Sequence, residues 1–164
     1  MKKPWYSNIS VYIKLIRITS WPKNFFVFVP AVFSKHIFSL DYFLTVLLGF
    51  FTFSIASSAV YVFNDIIDAP KDKFHPLKKN RPIASGAVSK FTATVISVIF
   101  FMILAAITLQ MSLYFSLIIW TYVIINIFYT TFLKEVVIVD IFCIASGFML
   151  RVIAGAFLIS VDIS

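Results

Sequence analysis

The longest uncharged stretch of the sequence covers residues 91–133, which include no Asp, Glu, Lys or Arg. A helix that crosses the roughly 30 Å hydrocarbon core of a bilayer needs about 20 predominantly apolar residues. The stretch is therefore too long for one membrane span and has the right length for two. The polar step Gln110-Met111-Ser112 is the turn that divides it. This predicts two spans, over residues 91–109 and 113–133.

Two further segments have the length and composition of membrane spans. Residues 42–64 contain no charged residue before Asp65, which predicts a span over residues 43–63. Residues 136–160 predict another, with Asp140 near its start and Arg151 near its middle.

The composition excludes most other classes of protein. Hydrophobic residues make up 61% of the chain and charged residues 13%, whereas soluble domains average about 25% charged residues. The 20 Phe residues exclude disorder, and the single cysteine, Cys143, excludes a disulfide scaffold. The net charge of +7 is assigned to membrane topology, and no nucleic-acid partner is expected. We expect an all-α, polytopic transmembrane helical bundle.

The basic residues predict how the chain is oriented in the membrane. Lys and Arg concentrate in residues 1–24 and 64–90, and short loops rich in these residues stay in the cytoplasm. An even number of crossings must therefore separate the two segments, so residues 24–40 are expected to cross, with Lys35 snorkelling outward. The prediction is five spans in a bacterial-type cell membrane, with the N-terminus and the loop after residue 64 in the cytoplasm.

The first 20 residues predict a helix that lies in the plane of the membrane surface. Apolar side chains recur at helical spacing opposite Lys14 and Arg17; they are Ile9, Tyr12, Ile13 and Ile16. Such an amphipathic, basic helix is typical of an interfacial anchor.

The loop after the span over residues 43–63 carries the main chemical signal. On a helix, Asn64, Asp68 and Asp72 lie about 40° apart on one face, and like charges four residues apart disfavour a helix unless a cation neutralises them. Mg²⁺ binds one or two carboxylates together with waters and substrate phosphates. Six basic residues lie in the same loop, which predicts metal and phosphate binding there. The alternative is that the basic residues only fix topology.

Two details of these polar residues leave alternatives open. Pro70 disfavours helical geometry at Ala69, so the helix either carries all three side chains or ends near Asp68 and leaves Asp72 in the loop. Arg151 shares a helix face with Asp140 but lies about 16 Å of helical rise away from it. A direct ion pair is therefore disfavoured, and Arg151 is expected to line a cavity.

The acidic motif and four further sequence blocks resemble the UbiA prenyltransferase superfamily. Asn64-Asp65-x-x-Asp68-x-x-x-Asp72 resembles its first aspartate-rich motif, and the blocks resemble its decaprenyl-phosphate phosphoribosyltransferase branch. These blocks are Trp21-Pro22-Lys23-Asn24, His75-Pro76-x-Lys78-Lys79-x-Arg81-Pro82, Tyr129-Thr130-x-x-Leu133-Lys134, and Asp140 with Ser146-Gly147-Phe148-x-Leu150-Arg151.

The resemblance implies a fold, a reaction and a set of site residues. Residues 1–164 would form one UbiA-like membrane domain that transfers a phosphoribosyl group from phosphoribosyl pyrophosphate to a polyprenyl phosphate. Asn64, Asp68 and Asp72 would hold Mg²⁺, with Asp68 and Asp72 catalytic. The expected substrate-binding residues are Lys23, Asn24, Arg81, Tyr129, Lys134, Asp140 and Arg151.

The length of the chain limits what the resemblance implies about activity. Members of the superfamily carry roughly nine spans, and five are predicted here. We therefore expect an apparently truncated domain with little or no activity alone, completed by a separate C-terminal half. The alternatives are a prenyltransferase that moves a prenyl group from a prenyl diphosphate to an aromatic acceptor, and a non-catalytic membrane subunit or remnant.

Overall fold

The computed structural model describes residues 6–134 and 137–160, and this part of the chain is helical with no strand. Helix α1 covers Tyr6–Leu15, α2 Val29–Phe33, α3 Leu40–Asp72, α4 Lys90–Thr108, α5 Leu113–Phe128 and α6 Val137–Leu158. Short 3₁₀ helices cover Ile18–Phe28, His36–Phe38 and Lys78–Asn80, and a π-helical turn over Tyr129–Leu133 continues α5. The expected all-α fold is confirmed.

Four helices are long and apolar enough to span a membrane: Leu40–Asp72, Lys90–Thr108, Leu113–Leu133 and Ile138–Leu158. They correspond to the last four predicted spans, and the chain turns between α4 and α5 at the predicted polar step. Helix α3 has 33 residues and is about 50 Å long. It is therefore longer than a hydrocarbon core is thick, so one end extends beyond it.

The region over residues 24–40, which was expected to cross the membrane, does not form one long helix with these bounds. This region holds no helix of spanning length; a 3₁₀ helix over Ile18–Phe28 leads directly into the five-residue α2. Two prolines explain the difference, because Pro22 and Pro30 have no N–H to donate to a regular α-helix. The left-handed Lys35 (φ 62°) then turns the chain after α2.

The 3₁₀ segment nevertheless runs antiparallel to α3 along most of its length. Trp21 Nε1 donates to Ser58 Oγ at 3.0 Å, and the Phe28 ring lies 6.1 Å from that of Phe43. Because a 3₁₀ helix rises about 2 Å per residue, the 16 residues from position 18 to 33 extend about 30 Å. That length matches one membrane crossing, so the predicted number of crossings stays a prediction.

Close packing at Val27 holds the 3₁₀ segment between α3 and α6. A Cβ atom placed on Gly155 would lie 2.0 Å from the Val27 carbonyl oxygen, and one on Gly49 would lie 2.3 Å from Leu158 Cδ1 and 3.4 Å from Val27 Cγ1. Glycine at both positions lets the helices approach closely. Val27 is fully buried, which places the segment in the centre of the bundle.

Helix α1 agrees with the predicted N-terminal helix in position. Ile9, Tyr12 and Ile13 are exposed apolar side chains on it, whereas Leu15 is fully buried against the bundle. The proposed location in the membrane plane stays a prediction.

Candidate functional site

Asn64, Asp68 and Asp72 form the acidic face of α3, as their four-residue spacing predicts. The helix continues to Asp72, so the alternative in which it ends near Asp68 is wrong. Pro70 is tolerated because it lies in the last turn, where it removes a single backbone hydrogen bond. Asp68 and Asp72 are 8% and 4% exposed, so these carboxylates are buried at one end of the bundle.

Arg81 bridges three carboxylates of α3 from the loop that follows the helix. Its Nη1 atom lies 2.7 Å from Asp72 Oδ2, 3.1 Å from Asp65 Oδ1 and 3.7 Å from Asp68 Oδ2. The arginine therefore screens the repulsion between acids that are one helical turn apart. This contact fixes the loop against the end of α3.

Lys134 reaches the same face from the end of the π-helical turn. Its Nζ atom pairs with Asp68 and donates to Asn64 Oδ1 at 3.2 Å. The π turn determines this position, because its hydrogen bonds join residues five apart and bring Tyr129 and Lys134 onto neighbouring positions of one face. The Tyr129 hydroxyl meanwhile donates to Asp140 Oδ1 at 2.7 Å.

Asp65 and Arg17 belong to the same cluster, and the sequence interpretation gave neither a role in the site. Arg17 Nη2 lies 2.5 Å from Asp65 Oδ1, and Asp65 is 2% exposed. The sequence offered a signal for Asp65, because this acid lies beside Asn64 in the acidic motif. It offered none for Arg17, because Arg17 lies 48 positions from Asp65 in the chain. Within the described residues, Arg17, Arg81 and Lys134 thus lie at ion-pair distance from the three carboxylates of this cluster.

A cleft of about 580 Å³ opens beside this cluster, a size common for small-ligand sites. Basic groups dominate its polar lining, opposite the two acids. The lining comprises Asp68, Asp72, Lys71, His75, Lys78, Lys134, Thr130 and Thr131, with Ile67 and Phe132. Such a surface suits an anionic ligand that binds together with a metal cation.

A second, smaller cavity of about 160 Å³, here called the inner cavity, lies between α3, α5 and α6. Several predicted substrate-binding residues line it: Lys23, Tyr129, Asp140 and Arg151, with Asn64, Tyr122 and Asn126. The inner cavity and the 580 Å³ cleft, here called the outer cleft, are adjacent, since Thr130 borders both and Asn64 of the inner cavity bonds Lys134 of the outer cleft.

Arg151 lines the inner cavity and is 5% exposed. Its Nε donates to Asn24 Oδ1 at 2.7 Å, Nη1 to the Gly147 carbonyl at 2.6 Å, and Nη2 to the Tyr122 hydroxyl at 3.3 Å. Within residues 6–134 and 137–160 no carboxylate lies within ion-pair distance of it, and Asp140 on the lining of the same cavity accepts from Tyr129 instead. The hydrogen-bond partners that hold the guanidinium are therefore all neutral.

The residues predicted as a site thus divide between two places. Arg81 and Lys134 join the acidic face of α3. The inner cavity is lined by Lys23, Tyr129, Asp140 and Arg151. Asn24 bonds Arg151 beside it. Tyr122 and His75 also border these spaces and were not predicted. Tyr122 lies in an unbroken apolar run, so its sequence context gave no signal.

The acidic face fits one kind of metal site and not another. The described part of the chain contains no group of three or more His, Cys, Asp or Glu side chains arranged to hold a metal ion, so an all-protein centre does not fit. Asn64, Asp68 and Asp72 are oxygen donors on one helix face. They fit a Mg²⁺ ion that takes its other ligands from waters and a substrate phosphate.

The fold and the site together define a helical membrane protein with charged side chains at one end of its bundle. The sequence profile of the UbiA prenyltransferase family matches residues 25–164. The chain belongs to this family.

Individual relatives agree with the family assignment. The chain is 31% identical to decaprenyl-phosphate phosphoribosyltransferase of Mycobacterium tuberculosis, over 99% of this chain and 55% of that protein. It is 29% identical to the protein of the same name from Mycolicibacterium smegmatis, over 95% of this chain and 50% of that protein. The chain therefore spans about half the length of the curated relatives it matches.

A solved structure from work on digeranylgeranylglyceryl phosphate synthase in membranes shares the fold. The TM-score is 0.78 at 22% identity, over 93% of this chain and 53% of that chain.

Proposed function

We propose that this chain forms the donor-binding and acceptor-binding part of a membrane transferase that moves a phosphoribosyl group from phosphoribosyl pyrophosphate to a polyprenyl phosphate. The observation that carries the proposal is Arg151, a buried cation with no carboxylate partner among residues 6–134 and 137–160, which lines a cavity next to a charged cleft. A charged arginine within a membrane costs about 2.5–3.5 kcal/mol. An anionic substrate group would offset this cost.

The outer cleft would bind the diphosphate of the donor. Lys78 and Lys134 line it beside Asp68 and Asp72, so it offers cations for phosphate oxygens and carboxylates for a metal ion. Asn64, Asp68 and Asp72 would hold Mg²⁺, which supplies positive charge to the leaving diphosphate. In the structure Lys134 and Arg81 pair with these carboxylates. Once Mg²⁺ and the diphosphate are bound, both side chains would bind phosphate oxygens.

The inner cavity would bind the phosphate of the polyprenyl acceptor. Arg151 provides a guanidinium whose orientation Asn24 and the Gly147 carbonyl fix, and an arginine held in this way recognises phosphate well. Lys23 borders the same cavity. The acceptor phosphate would reach the donor where Thr130 borders both spaces.

The reaction that follows needs no base, because the attacking phosphate oxygen is already ionised. That oxygen would form a bond to the anomeric carbon of the ribose. The bond from this carbon to the diphosphate would break, and the diphosphate would leave with the electron pair. Lys134, beside Asn64 where the two spaces meet, would stabilise the developing negative charge.

Prenyl transfer from a prenyl diphosphate to an aromatic acceptor is the second candidate. It would use the outer cleft for the same diphosphate and would need a base for the acceptor proton, and Asp140 is the carboxylate in the inner cavity. Arg151, which has no ion pair among the described residues, favours an acceptor that carries a negative charge. A non-catalytic subunit or remnant is the third candidate, since the chain spans about half of its curated relatives.

The proposed location follows from the same geometry. Lys14 and Arg17 border one cleft with Asn80 and Arg81, so the two basic segments of the sequence lie at the same end of the bundle. Since such segments stay in the cytoplasm, we place the N-terminus and the acidic face on the cytoplasmic side of the cell membrane.

The acceptor assignment is tested by lipid binding to the chain in nanodiscs. A polyprenyl phosphate should bind, and the matching polyprenol, which lacks the phosphate, should bind at least tenfold more weakly. Arg151→Gln should abolish the preference for the phosphate and leave binding of inorganic pyrophosphate unchanged. Equal binding of both lipids to the unaltered chain would reject the phosphate acceptor.

The enzyme assignment is tested by transfer from labelled phosphoribosyl pyrophosphate, with the chain assayed alone and with any C-terminal partner. Asp68→Asn and Asp72→Asn should each abolish Mg²⁺-dependent transfer. Asp41→Asn is the matched control, because Asp41 lies in the first turn of the same helix, at its opposite end. If cells that carry the Asp68→Asn or Asp72→Asn variant show the same biological phenotype as cells with the unaltered chain, the hypothesis of a non-catalytic subunit or remnant is favoured instead.

A further inference from the structure

His75 lies in the loop after α3 and borders the outer cleft. Its Nδ1 atom accepts the backbone N–H groups of Leu77 at 3.2 Å and Lys78 at 3.3 Å. Its backbone N–H donates to the Asp72 carbonyl at 3.1 Å, and its carbonyl accepts from Lys79 N at 3.2 Å. The loop is therefore wound around this residue and tied to the end of the acidic helix.

These contacts determine where the proton of the neutral imidazole lies. A neutral ring has one nitrogen that accepts and one that carries a hydrogen. Because Nδ1 accepts from two backbone N–H groups, the hydrogen is on Nε2. His75 is exposed and borders the cleft, and within residues 6–134 and 137–160 its hydrogen bonds use Nδ1 and the backbone and leave the Nε2–H group as the remaining donor.

The other polar groups of the cleft indicate what this donor would meet. Lys78, which follows directly in the loop, and Lys134, across the cleft, also supply only donors. His75 adds a neutral donor to these two, whereas the carboxylates of the same cleft, Asp68 and Asp72, already pair with Lys134 and Arg81. This set of donors suits phosphate oxygens, which only accept.

We propose that His75 binds the diphosphate group of the donor substrate by donating its Nε2–H to a phosphate oxygen. The inference rests on the proposed function and adds to it a specific diphosphate-binding residue. The competing explanation is that His75 only caps the 3₁₀ turn over Lys78–Asn80 through Nδ1.

Two substitutions separate the two nitrogens. In His75→Asn the side-chain amide provides an acceptor where Nδ1 lies and nothing where Nε2 lies, so the loop contacts persist and the donor is lost. In His75→Gln the amide N–H reaches the position of Nε2, and the acceptor for Leu77 and Lys78 is lost. His36→Asn is the matched control, because His36 bonds Ser34 outside the cleft.

The experiment measures binding of inorganic pyrophosphate, with Mg²⁺, to the 164-residue chain by calorimetry, and hydrogen exchange of the Leu77 and Lys78 amides. His75→Asn should weaken binding about tenfold, the loss of one hydrogen bond to a charged group, with slow exchange retained. His75→Gln should bind within about threefold of the unaltered chain and exchange faster, and His36→Asn should change neither readout.

Each other outcome overturns a specific statement. If His75→Asn binds pyrophosphate as the unaltered chain does, or His75→Gln loses as much affinity as His75→Asn, the inference about Nε2 is wrong and the proposed function remains. If the unaltered chain does not bind pyrophosphate at all, the proposed diphosphate site itself fails, and the inference fails with it.

Discussion

Arg151 donates a 2.7 Å hydrogen bond from Nε to Asn24 Oδ1, which joins residues 127 positions apart in the chain. Asn24 is fully buried and donates in turn from Nδ2 to Ser54 Oγ at 3.0 Å. The neutral amide therefore orients the guanidinium without cancelling its charge. An aspartate at position 24 would have provided a counter-ion, so the choice of asparagine keeps Arg151 available for an anion.

Asn24→Asp should neutralise the charge of Arg151 while the side chain keeps its position. The new carboxylate would pair with Arg151, so polyprenyl phosphate should bind at least tenfold more weakly while the melting temperature stays near that of the unaltered chain. Asn24→Ala should instead lower the free energy of unfolding by about 1–3 kcal/mol, because it leaves the buried Nε–H without an acceptor. Lipid-binding and thermal-unfolding measurements in detergent provide both readouts, and unchanged phosphate-lipid affinity in Asn24→Asp would contradict the role of Arg151.

Arg81→Gln should reveal whether the carboxylates of α3 bind a divalent cation. Without the guanidinium, the repulsion between Asp68 and Asp72 should lower the free energy of unfolding by about 1–3 kcal/mol, less than for a fully buried pair since Arg81 is 24% exposed. Mg²⁺ should then raise the melting temperature of this variant more than that of the unaltered chain. Lys79→Gln, which removes the same charge from an exposed position of the loop, should show neither effect.

Insertion of one alanine after Thr131 should show what the π-helical turn does. The insertion moves Lys134 from the fifth to the sixth position after Tyr129 and rotates it by about 100°, the turn of one residue, away from the face that it shares with Tyr129. Lys134 should then lose Asp68 and Asn64, and pyrophosphate binding should fall at least tenfold, with helix content by circular dichroism retained. Thr131→Ala keeps the register and should bind normally. Normal binding by the insertion variant would mean that the π turn does not position the lysine.

Gly155→Ala and Gly49→Ala should differ in their effect on stability. The new methyl group at Gly155 meets the backbone oxygen of Val27 at 2.0 Å, whereas that at Gly49 meets Cδ1 of Leu158, the movable end of a side chain, at 2.3 Å. Overpacking typically lowers the free energy of unfolding by about 1–3 kcal/mol. Gly155→Ala should therefore cost about 3 kcal/mol or more, and Gly49→Ala about 1 kcal/mol. Thermal unfolding checks the order, and a reversed order would contradict the packing of the 3₁₀ segment against α6.

The sequence was sufficient to predict the four long helices and the acidic face. Uncharged runs of spanning length have few stable structures in a membrane other than helices, and the fixed period of the helix aligns Asn64, Asp68 and Asp72. It was not sufficient for residues 18–33. There Pro22 and Pro30 signalled irregularity, but the antiparallel path along α3 depends on packing at Gly155 and Gly49.

What the sequence alone determined is therefore local: the existence of the long helices and the side chains that share one helix face. The tertiary structure decided which charges meet: Arg17 and Asp65, Lys134 and Asp68, and Arg151 with Asn24 in place of an acid. The physical reason is that helical periodicity is a property of consecutive residues. Hydrogen bonds and ion pairs across the bundle depend instead on how separate helices pack, and the residues that pair are 48, 66 and 127 positions apart.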